Sequence, residues 1–533
     1  MRKSLASVVS IATLVAACSG FGSEDEEKKA EEQQPPPSTP QENSVPPVPG
    51  KPVNGIFVSA SKGRAGASGF VGSPLNTIKD GLARAKETKL QLIVCAEEYA
   101  ESVEWLDGVS AYGYFDCSGA VFVQAEGRRA RVKSPTSPAL LAHDITLPTR
   151  IEGFEIVGPD LETTIASETA GSSIGLELRR IAPNALTIGS SVVRSGRAAP
   201  GADGAPPANP TPSGAFDGTG GIDQSSSNCT SQMIQCANMA VPGPAGATTA
   251  SCGDEPAPGP GGNGGDGLWF IEGLPHPQDN NIQHGRPFAQ ISPTAMGAPP
   301  CGPDNNVTDC GRGTTGVPGG NGTDGQSAPW KLTPEGSFVA GNGSRGGSGK
   351  PGQGGGGGGG SLGWYYGAGY YTYPPSGGTG YFRSARGGSG AAGGCGGLAG
   401  GGGTGGAASI AVLAIDAPAK LEKVTLESGE GGQGGAGTLG GAGTNGGTGG
   451  YSIGGAGRGG NGGNGGFGGS SANGTSGPSI ALAFFGAKPL VDSAALKPGA
   501  GGKAREQVYQ ATSGKAVAAT PAGDSLPELE IKP

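Results

Sequence analysis

The sequence is poor in the residues that build large globular cores and charged binding surfaces. Of its 533 residues only 34% are hydrophobic, 15% are charged, 5% are aromatic and three are histidines. One large conventional core is therefore not expected. The net charge of −8 and the lack of a long basic run argue against nucleic acid as a partner. His143, His276 and His284 are too few and too scattered for a convincing triad or metal cluster.

Glycine and proline are present in excess. The chain contains 110 Gly and 44 Pro, a share far above that of ordinary proteins. The stretch from Val53 to Val193 has a normal apolar content, and most of the glycine lies beyond it. We therefore expect a conventional folded part that is extended by glycine-rich segments.

The N-terminus has the pattern of an export signal. Arg2 and Lys3 precede an apolar stretch from Leu5 to Ala17, which is shorter than the about 20 residues that span a bilayer. Its end, Val15-Ala16-Ala17-Cys18, resembles the bacterial lipobox. The resemblance implies cleavage after residue 17 and acylation of Cys18, with a palmitate-type anchor. An ordinary secretory signal, with Cys18 near the cleavage site by chance, is the alternative.

The residues after Cys18 indicate where the chain is held. Ser19 stands where an Asp would resemble an inner-membrane retention signal, so the resemblance favours the outer membrane. Residues 24–50 combine a charged run with Pro35-Pro36-Pro37, a composition typical of an extended tether. We expect a lipid-anchored protein at the cell outer membrane, facing either the cell surface or the periplasm.

Three segments are copies of one structural unit. Each opens on Ser-Ile, continues with short alternating apolar runs and closes on a glycine, at Ser173–Gly196, Ser409–Gly429 and Ser479–Gly499. The runs predict two strands per copy. Such a unit cannot bury its apolar face alone and must stack on its neighbours, as in a parallel β-helix. A β-sandwich with glycine-rich loops is the alternative, because short alternating strands fit it too.

The segment before these copies has a recognisable order of motifs. Ile56-Phe57-Val58-Ser59 is followed by a Pro-x-x-Thr-Ile turn at Pro74–Ile78, then by Leu92-Ile93-Val94 and Asp107–Tyr114. This order is similar to the opening of bacterial surface proteins with a pectate-lyase-like β-helix. The resemblance implies a capping helix from Asn76 to Glu87. The expected fold is mainly β: a right-handed parallel β-helix with an N-terminal capping helix and long glycine-rich insertions on one face.

The same reasoning divides the chain. Insertions at an equivalent position of each repeat emerge on one face of the stack. We expect a signal peptide (1–17), a lipidated tether (18–50), an N-terminal β-helix with its cap (51–196), a glycine-rich insertion with cysteines (197–408), a coil (409–429), a second glycine-rich insertion (430–478), a coil (479–499) and a C-terminal tail (500–533).

Within the insertions a side chain often follows two glycines. Asn461, Asn464 and Phe467 are spaced three residues apart, so a chain with three residues per turn would place them on one edge and leave two bare edges for close packing. This repeat pattern is similar to that of PE-PGRS-type glycine-rich proteins. A flexible disordered loop is the alternative.

The cysteines other than Cys18 are even in number. In an exported chain an even number indicates disulfides. Proximity favours Cys95 with Cys117, Cys229 with Cys236 and Cys301 with Cys310, which leaves Cys252 for Cys395; connectivity cannot be read from sequence. Without close Cys-x-x-Cys pairs, a zinc site is the less favoured alternative.

Two further motifs are candidate ligand sites. Residues 261–269 match a calcium-binding nonapeptide and 319–324 match its first six positions, which makes Asp266 and Asp324 weak calcium candidates; no other cofactor is indicated.

An aromatic cluster follows, whose planes either stack on sugars or proteins or form a small core of their own. Its members are Trp364, Tyr365, Tyr366, Tyr370, Tyr371, Tyr373, Tyr381 and Phe382.

Catalysis on a β-helix of this type would need paired carboxylates on adjacent coils. The nearest candidates are Asp144, Glu152, Glu155 and Asp160, for which solvated outward positions are the ordinary interpretation. The sequence thus favours a non-enzymatic surface lipoprotein with a structural or adhesive role in the envelope or extracellular matrix. Its partners would be the membrane, through the lipid, and polysaccharide or other surface proteins. A polysaccharide lyase or glycosidase on the same scaffold is the alternative.

Overall fold

We describe the protein from a computed structural model. The structure describes residues 54–119, 122–125, 127–163, 171–221, 223–225, 243–253, 255–266, 311–360, 364–366, 381–452, 456–511 and 513–533.

The described elements are short strands and one helix. In chain order they begin with β1 (Ile56–Val58), α1 (Ile78–Thr88), β2 (Leu92–Cys95), β3 (Glu98–Tyr99), β4 (Val103–Trp105), β5 (Ala111–Asp116), β6 (Val123–Gln124), β7 (Ala130–Lys133), β8 (Leu140–His143), β9 (Thr149–Glu152), β10 (Phe154–Val157), β11 (Ser173–Arg179), β12 (Leu186–Gly189) and β13 (Val192–Arg194). They continue with β14 (Asp223–Ser225), β15 (Lys331–Leu332), β16 (Phe338–Val339), β17 (Trp364–Tyr366), β18 (Tyr381–Ala385), β19 (Ser409–Ile415), β20 (Lys420–Glu422), β21 (Thr425–Glu427), β22 (Ser479–Phe485), β23 (Leu490–Asp492), β24 (Ala495–Lys497), β25 (Val508–Gln510), β26 (Lys515–Val517) and β27 (Ser525–Glu530).

Most strands belong to three parallel sheets. Sheet I contains β1, β2, β5, β9, β12, β20 and β23, with β6 antiparallel to β5; sheet II contains β3, β7, β10, β13, β21 and β24; sheet III contains β4, β8, β11, β19, β22 and β27. From β2 onward the chain visits sheets I, II and III in a constant rotation. The protein is therefore mainly β with parallel sheets, which does not fit the β-sandwich alternative, whose sheets are antiparallel.

The strands of the three predicted copies align in the sheets, although the first copy has three more residues between its first two strands. Ser173 pairs with Ser409, and Ser409 pairs with Ser479. The prediction of two strands per copy was wrong, because each copy has three. A residue in the left-handed conformation turns the chain between the strands of sheets I and II in each copy: Ser190, Lys423 and Ser493, with φ of 45°, 51° and 54°.

The predicted helix is present and begins two residues later than expected. Thr77 is its N-cap, because its hydroxyl accepts a hydrogen bond from the Asp80 amide at 3.1 Å, which satisfies one of the amides that the first turn leaves unpaired. The helix therefore starts at Ile78 rather than Asn76. Its buried face packs on the core beside β1 and β2, through Ile78, Leu82 and Ala85.

The apolar side chains of the three sheets form one main cluster. Sheet III also carries apolar side chains on its other face, among them Ile410, Leu413 and Ile480. The hairpin of β15 and β16 covers this face with Leu332 and Phe338. A strand buried on both faces reads as a continuous apolar run, which explains the sequence Ser-Ile-Ala-Val-Leu-Ala-Ile of β19.

Candidate functional site

Both glycine-rich insertions leave and re-enter the sheets at one corner, between sheets II and III, which we call the exit corner. The Oγ atoms of Ser195 and Ser409 lie 2.8 Å apart, and Ser409 donates to the carbonyl oxygen of Gly196. Ser428 and Ser479 repeat this arrangement in the next copy. Because these hydroxyls are buried, each requires a partner, and the pairing fixes the direction in which each insertion leaves.

Beyond the exit corner, extended segments that are neither helix nor strand lie side by side. We call them the glycine layer. The layer comprises residues 198–221, 243–247, 259–265, 311–326, 341–360, 386–408, 430–451 and 457–478.

Backbone hydrogen bonds join these segments at every third residue. The amides of Gly349 and Gly352 donate to the carbonyl oxygens of Gly397 and Gly394, both at 2.8 Å, and the pattern continues along the segments. A period of three matches the polyproline II helix, which has three residues per turn and no internal hydrogen bonds. The predicted three-residue period is therefore confirmed, and the disordered-loop alternative does not fit the described segments.

Segment 386–408 lies at the centre of the layer. The amides of Gly393 and Gly394 donate to Gly259 and Gly463, and the carbonyl oxygen of Cys395 accepts from Thr444. Three consecutive residues thus bind three different neighbouring segments, and residues 387–397 are all buried. With few large side chains here, backbone hydrogen bonds and close packing hold the centre together.

Close approach of the backbones requires glycine at these interior positions. A Cβ atom at Gly393 would overlap the carbonyl oxygen of Gly352, and one at Gly462 would overlap that of Ala392. At Gly320, on the outside, the nearest atom would be Cδ of Lys350 at 3.9 Å. The glycine spacing therefore marks the edges along which each segment meets its neighbours.

Asn side chains accept hydrogen bonds from backbone amides of neighbouring segments. Oδ1 of Asn461 accepts from Gly449 at 2.9 Å, and Oδ1 of Asn464 accepts from Gly446 at 3.1 Å. A Gly-Gly-Asn triplet supplies one such oxygen per turn. Since a buried amide without a partner is costly, the triplet satisfies the amides that backbone carbonyls do not reach.

The two calcium candidates have this same role. Oδ1 of Asp266 accepts from the Gly243 amide at 2.8 Å, and Oδ1 of Asp324 accepts from the Ser470 amide at 2.9 Å. Lys515 Nζ also lies 2.9 Å from Asp324. Calcium needs six or more oxygen ligands, and within the described residues no group of three or more His, Cys, Asp or Glu converges to hold a metal. Residues 267–269 of the nonapeptide lie outside the described residues, so the calcium candidates stay predictions.

Two predicted disulfides are confirmed. Cys95 is bonded to Cys117 in the N-terminal part, and Cys252 is bonded to Cys395 across 143 residues of sequence. The second bond fastens the turn between segments 243–247 and 259–265 to the central segment. The other predicted pairs, Cys229 with Cys236 and Cys301 with Cys310, lie outside the described residues.

Part of the aromatic-rich stretch forms a small antiparallel sheet of β14, β18 and β17. Its register places Tyr365 opposite Phe382 and Trp364 opposite Arg383. Segments 341–360 and 386–408 lead into this sheet from the layer, at the end away from the exit corner. Tyr370, Tyr371 and Tyr373 lie outside the described residues, so both interpretations of the cluster stay predictions.

The carboxylates considered for catalysis lie in ion pairs or bind backbone. Glu152 Oε2 lies 2.7 Å from Arg150 Nε, and Asp160 accepts a hydrogen bond from the Arg197 amide at 2.7 Å. Glu155 belongs to a row of alternating charges along sheet II. In this row each carboxylate lies beside basic side chains, whereas a catalytic pair consists of two carboxylates that flank the substrate. The row consists of Glu98, Arg131, Glu155, Arg194, Glu427 and Lys497.

Asp144 belongs to a cluster of charged side chains from three strands and turns. Nδ1 of His143 lies 2.8 Å from Asp144, and its Nε2 lies 2.8 Å from Glu104. Arg180 binds both oxygens of Asp144, at 2.6 and 2.8 Å, and with His143 it holds the pKa of that carboxyl well below its usual range. Both ring nitrogens are engaged, so the imidazole has no free nitrogen with which to act as a base.

We expect the fold to lose stability as the pH rises through the pKa of His143. Hydrogen bonds to Asp144 and then Glu104 raise this pKa, so the protonated ring stabilises the fold fully below about pH 6.5, the ordinary imidazole pKa. The change is modest because the cluster is partly exposed. Thermal unfolding midpoints measured from about pH 6 to 8 should fall more steeply for the native chain than for His143→Gln; parallel curves would contradict this.

One cavity, of about 310 Å³, lies where the layer meets the exit corner. Two basic residues, Arg197 and Lys503, and two acidic residues, Glu162 and Glu430, line it together with apolar Leu161. Arg197 and Glu430 lie 3.6 Å apart and offset each other's charge. The cavity therefore has no strong preference for ligands of one charge.

Sequence reasoning missed the paired serines and the amide-accepting role of Asn and Asp. The serines carry a signal in the sequence, because Ser173, Ser409 and Ser479 open each copy. The repeated Gly-Gly-Asn triplets are the sequence signal for the amide-accepting role of Asn. The cluster of His143 was missed because Glu104 and Arg180 are far from it in sequence.

Several predictions concern residues outside the described ones: Cys18, the tether, His276 and His284. Within the described part of the chain, none of the helical structure is long and apolar enough to cross a membrane. No protein family model, no curated protein and no solved structure matches this chain.

Proposed function

We propose that the three parallel sheets form a right-handed β-helix, and that the chain is a non-enzymatic lipoprotein displayed at the bacterial outer membrane. The glycine layer would be its structural or adhesive element. The observation that carries this proposal is the layer itself: much of both insertions, which would be costly to order as free loops, is built into a hydrogen-bonded body fixed to the sheets at one corner.

The dimensions of the layer support a presenting role. From Glu430 to Tyr451 the outbound segment spans about 65 Å at a rise of ~3.1 Å per residue. At its far end lies the sheet of β14, β18 and β17, whose sequence is rich in aromatic residues. Aromatic side chains bind sugars and protein surfaces well. A rigid plate that holds such residues away from the body suits adhesion or matrix contact.

Export is supported by the two disulfides, because such bonds persist in oxidising compartments outside the cytosol. The anchor is proposed to be acylated Cys18. In cells given a palmitate analogue, the native chain should carry the label and Cys18→Ser should lose it, with Cys95→Ser as the matched control that keeps it. Label retained by Cys18→Ser would refute the anchor.

Adhesion is tested with cells that display the full chain. Replacing Trp364 and Tyr365 by alanine should lower attachment to surfaces coated with acidic polysaccharide or matrix protein. Replacing Phe70 and Tyr509 by alanine, which are exposed elsewhere, is the matched control and should leave attachment unchanged. Equal attachment by both variants and the native chain would count against the aromatic-rich sheet as the contact.

The enzyme alternative is tested in the same samples. Incubation with acidic polysaccharides should yield no unsaturated or reducing products. The ion pairs of Glu152, Glu155 and Asp144 support this expectation, because catalysis needs carboxylates that reach the substrate. Formation of such products would overturn the non-enzymatic proposal.

A further inference from the structure

The glycine layer contains seven Asn-Gly pairs, a dipeptide that is chemically labile. The glycine nitrogen attacks Cγ of the asparagine side chain, ammonia leaves, and water opens the resulting succinimide to Asp or isoaspartate, so that one amide and one water become one acid and one ammonia. Asparagine is accordingly a thermolabile residue. The pairs begin at Asn263, Asn321, Asn342, Asn445, Asn461, Asn464 and Asn473.

The layer engages the attacking nitrogen of every pair. In six pairs the glycine amide donates to a backbone carbonyl oxygen of a neighbouring segment; Gly462, for example, donates to Gly447 at 2.9 Å and Gly465 to Thr444 at 2.9 Å. A nitrogen held in this way cannot turn toward its own asparagine. In the same six pairs Oδ1 of the asparagine also accepts a hydrogen bond from a neighbouring amide, which fixes the side chain.

The pair Asn445-Gly446 is different. The side chain of Asn445 is exposed, and the Gly446 amide donates to a side chain, Oδ1 of Asn464, at 3.1 Å. Asn464 is itself exposed. One surface amide oxygen thus holds the nitrogen that would attack Asn445.

We propose that Asn445 is a potential deamidation site. Asn464 protects it by accepting the hydrogen bond of the Gly446 amide, while the backbone hydrogen bonds of the layer protect the other six pairs. Loss of the acceptor at position 464 frees the Gly446 nitrogen and converts Asn445 to Asp or isoaspartate. An isoaspartate adds a backbone atom to the chain and so breaks the three-residue period at that point.

The experiment compares the full chain with Asn464→Ala and Asn464→Asp during prolonged incubation at mildly alkaline pH. Conversion at each Asn-Gly pair is followed by peptide mass spectrometry. The alanine variant removes the acceptor at an exposed position without opening a cavity. The aspartate variant keeps an acceptor oxygen, as Asp266 and Asp324 do.

In Asn464→Ala we expect Asn445 to convert about fivefold faster than in the native chain, the factor that loss of one hydrogen bond of ordinary net strength implies. Asn464→Asp should behave as the native chain. The pairs at Asn263, Asn321, Asn342, Asn461 and Asn473 are the internal control for folding, because they convert only if the layer opens. Unchanged conversion of Asn445 in Asn464→Ala, or equal rates in the native and the chemically unfolded chain, would overturn the proposal.

Discussion

Replacing Gly393 by alanine is expected to lower the free energy of unfolding by about 3 kcal/mol or more. The new methyl group would overlap the carbonyl oxygen of Gly352. Relief requires the two segments to separate, yet the Gly352 amide donates to Gly394 at 2.8 Å and the Gly393 amide donates to Gly259 at 2.9 Å. Separation of the segments would therefore break hydrogen bonds at the buried centre of the layer. Denaturant unfolding followed by tryptophan fluorescence measures the loss.

Gly320→Ala is the matched control in the same layer. Its Cβ would meet its nearest neighbour at 3.9 Å, so the change in stability should stay within about 0.5 kcal/mol of zero. The two variants share chemistry and differ only in how closely another backbone approaches. A similar loss in both would mean that glycine is needed for the extended conformation itself and not for the packing of neighbours.

Removing the disulfide between Cys252 and Cys395 by a double alanine substitution is expected to cost about 5 kcal/mol, because the bond closes a long loop in the unfolded chain. The two cysteines are 143 residues apart. The bond also fixes a turn of the layer to the buried central segment. We expect the double variant to unfold at lower denaturant concentration and to be cut sooner by protease between residues 198 and 408.

The double alanine variant at Cys95 and Cys117 is the comparison. That bond closes a loop of 22 residues, for which the same entropy argument gives about 3 kcal/mol. Protease sensitivity should then arise in the N-terminal part and spare the layer. A larger loss for the shorter loop would show that local packing, and not loop closure, dominates the contribution of these bonds.

The parts of the fold that were predictable are those where side chains repeat. Ser173, Ser409 and Ser479 open copies that the structure aligns in sheet III, because apolar side chains at matching positions must face one core. The helix was expected from the resemblance that the Pro-x-x-Thr-Ile turn carries, and Thr77 of that turn is its N-cap. The third strand of each copy was not, because a left-handed Ser or Lys at the turn, such as Ser190 or Lys423, leaves no mark in composition.

The layer was predictable in its period and not in its pairing. A run of glycine repeats shows which edges of a segment lack side chains. Because all such edges present the same backbone groups, the sequence does not specify which segments become neighbours. Asp324 shows the same limit at a single site. Its motif fits both calcium and amide hydrogens, and nothing in the motif shows that the Ser470 amide lies within hydrogen-bond distance of the carboxylate.

The central position of segment 386–408 has a consequence for the order of assembly. Its neighbours 198–221 precede it in the chain, and its neighbours 430–451 and 457–478 follow it. The layer therefore has a high contact order and closes only after nearly the whole polypeptide has been made, which implies slow folding. This delay would suit the proposed export, because an exported chain has to stay unfolded until it has passed the membrane. Before the layer closes, its glycine-rich segments expose few apolar side chains, so the incompletely folded chain has little tendency to aggregate.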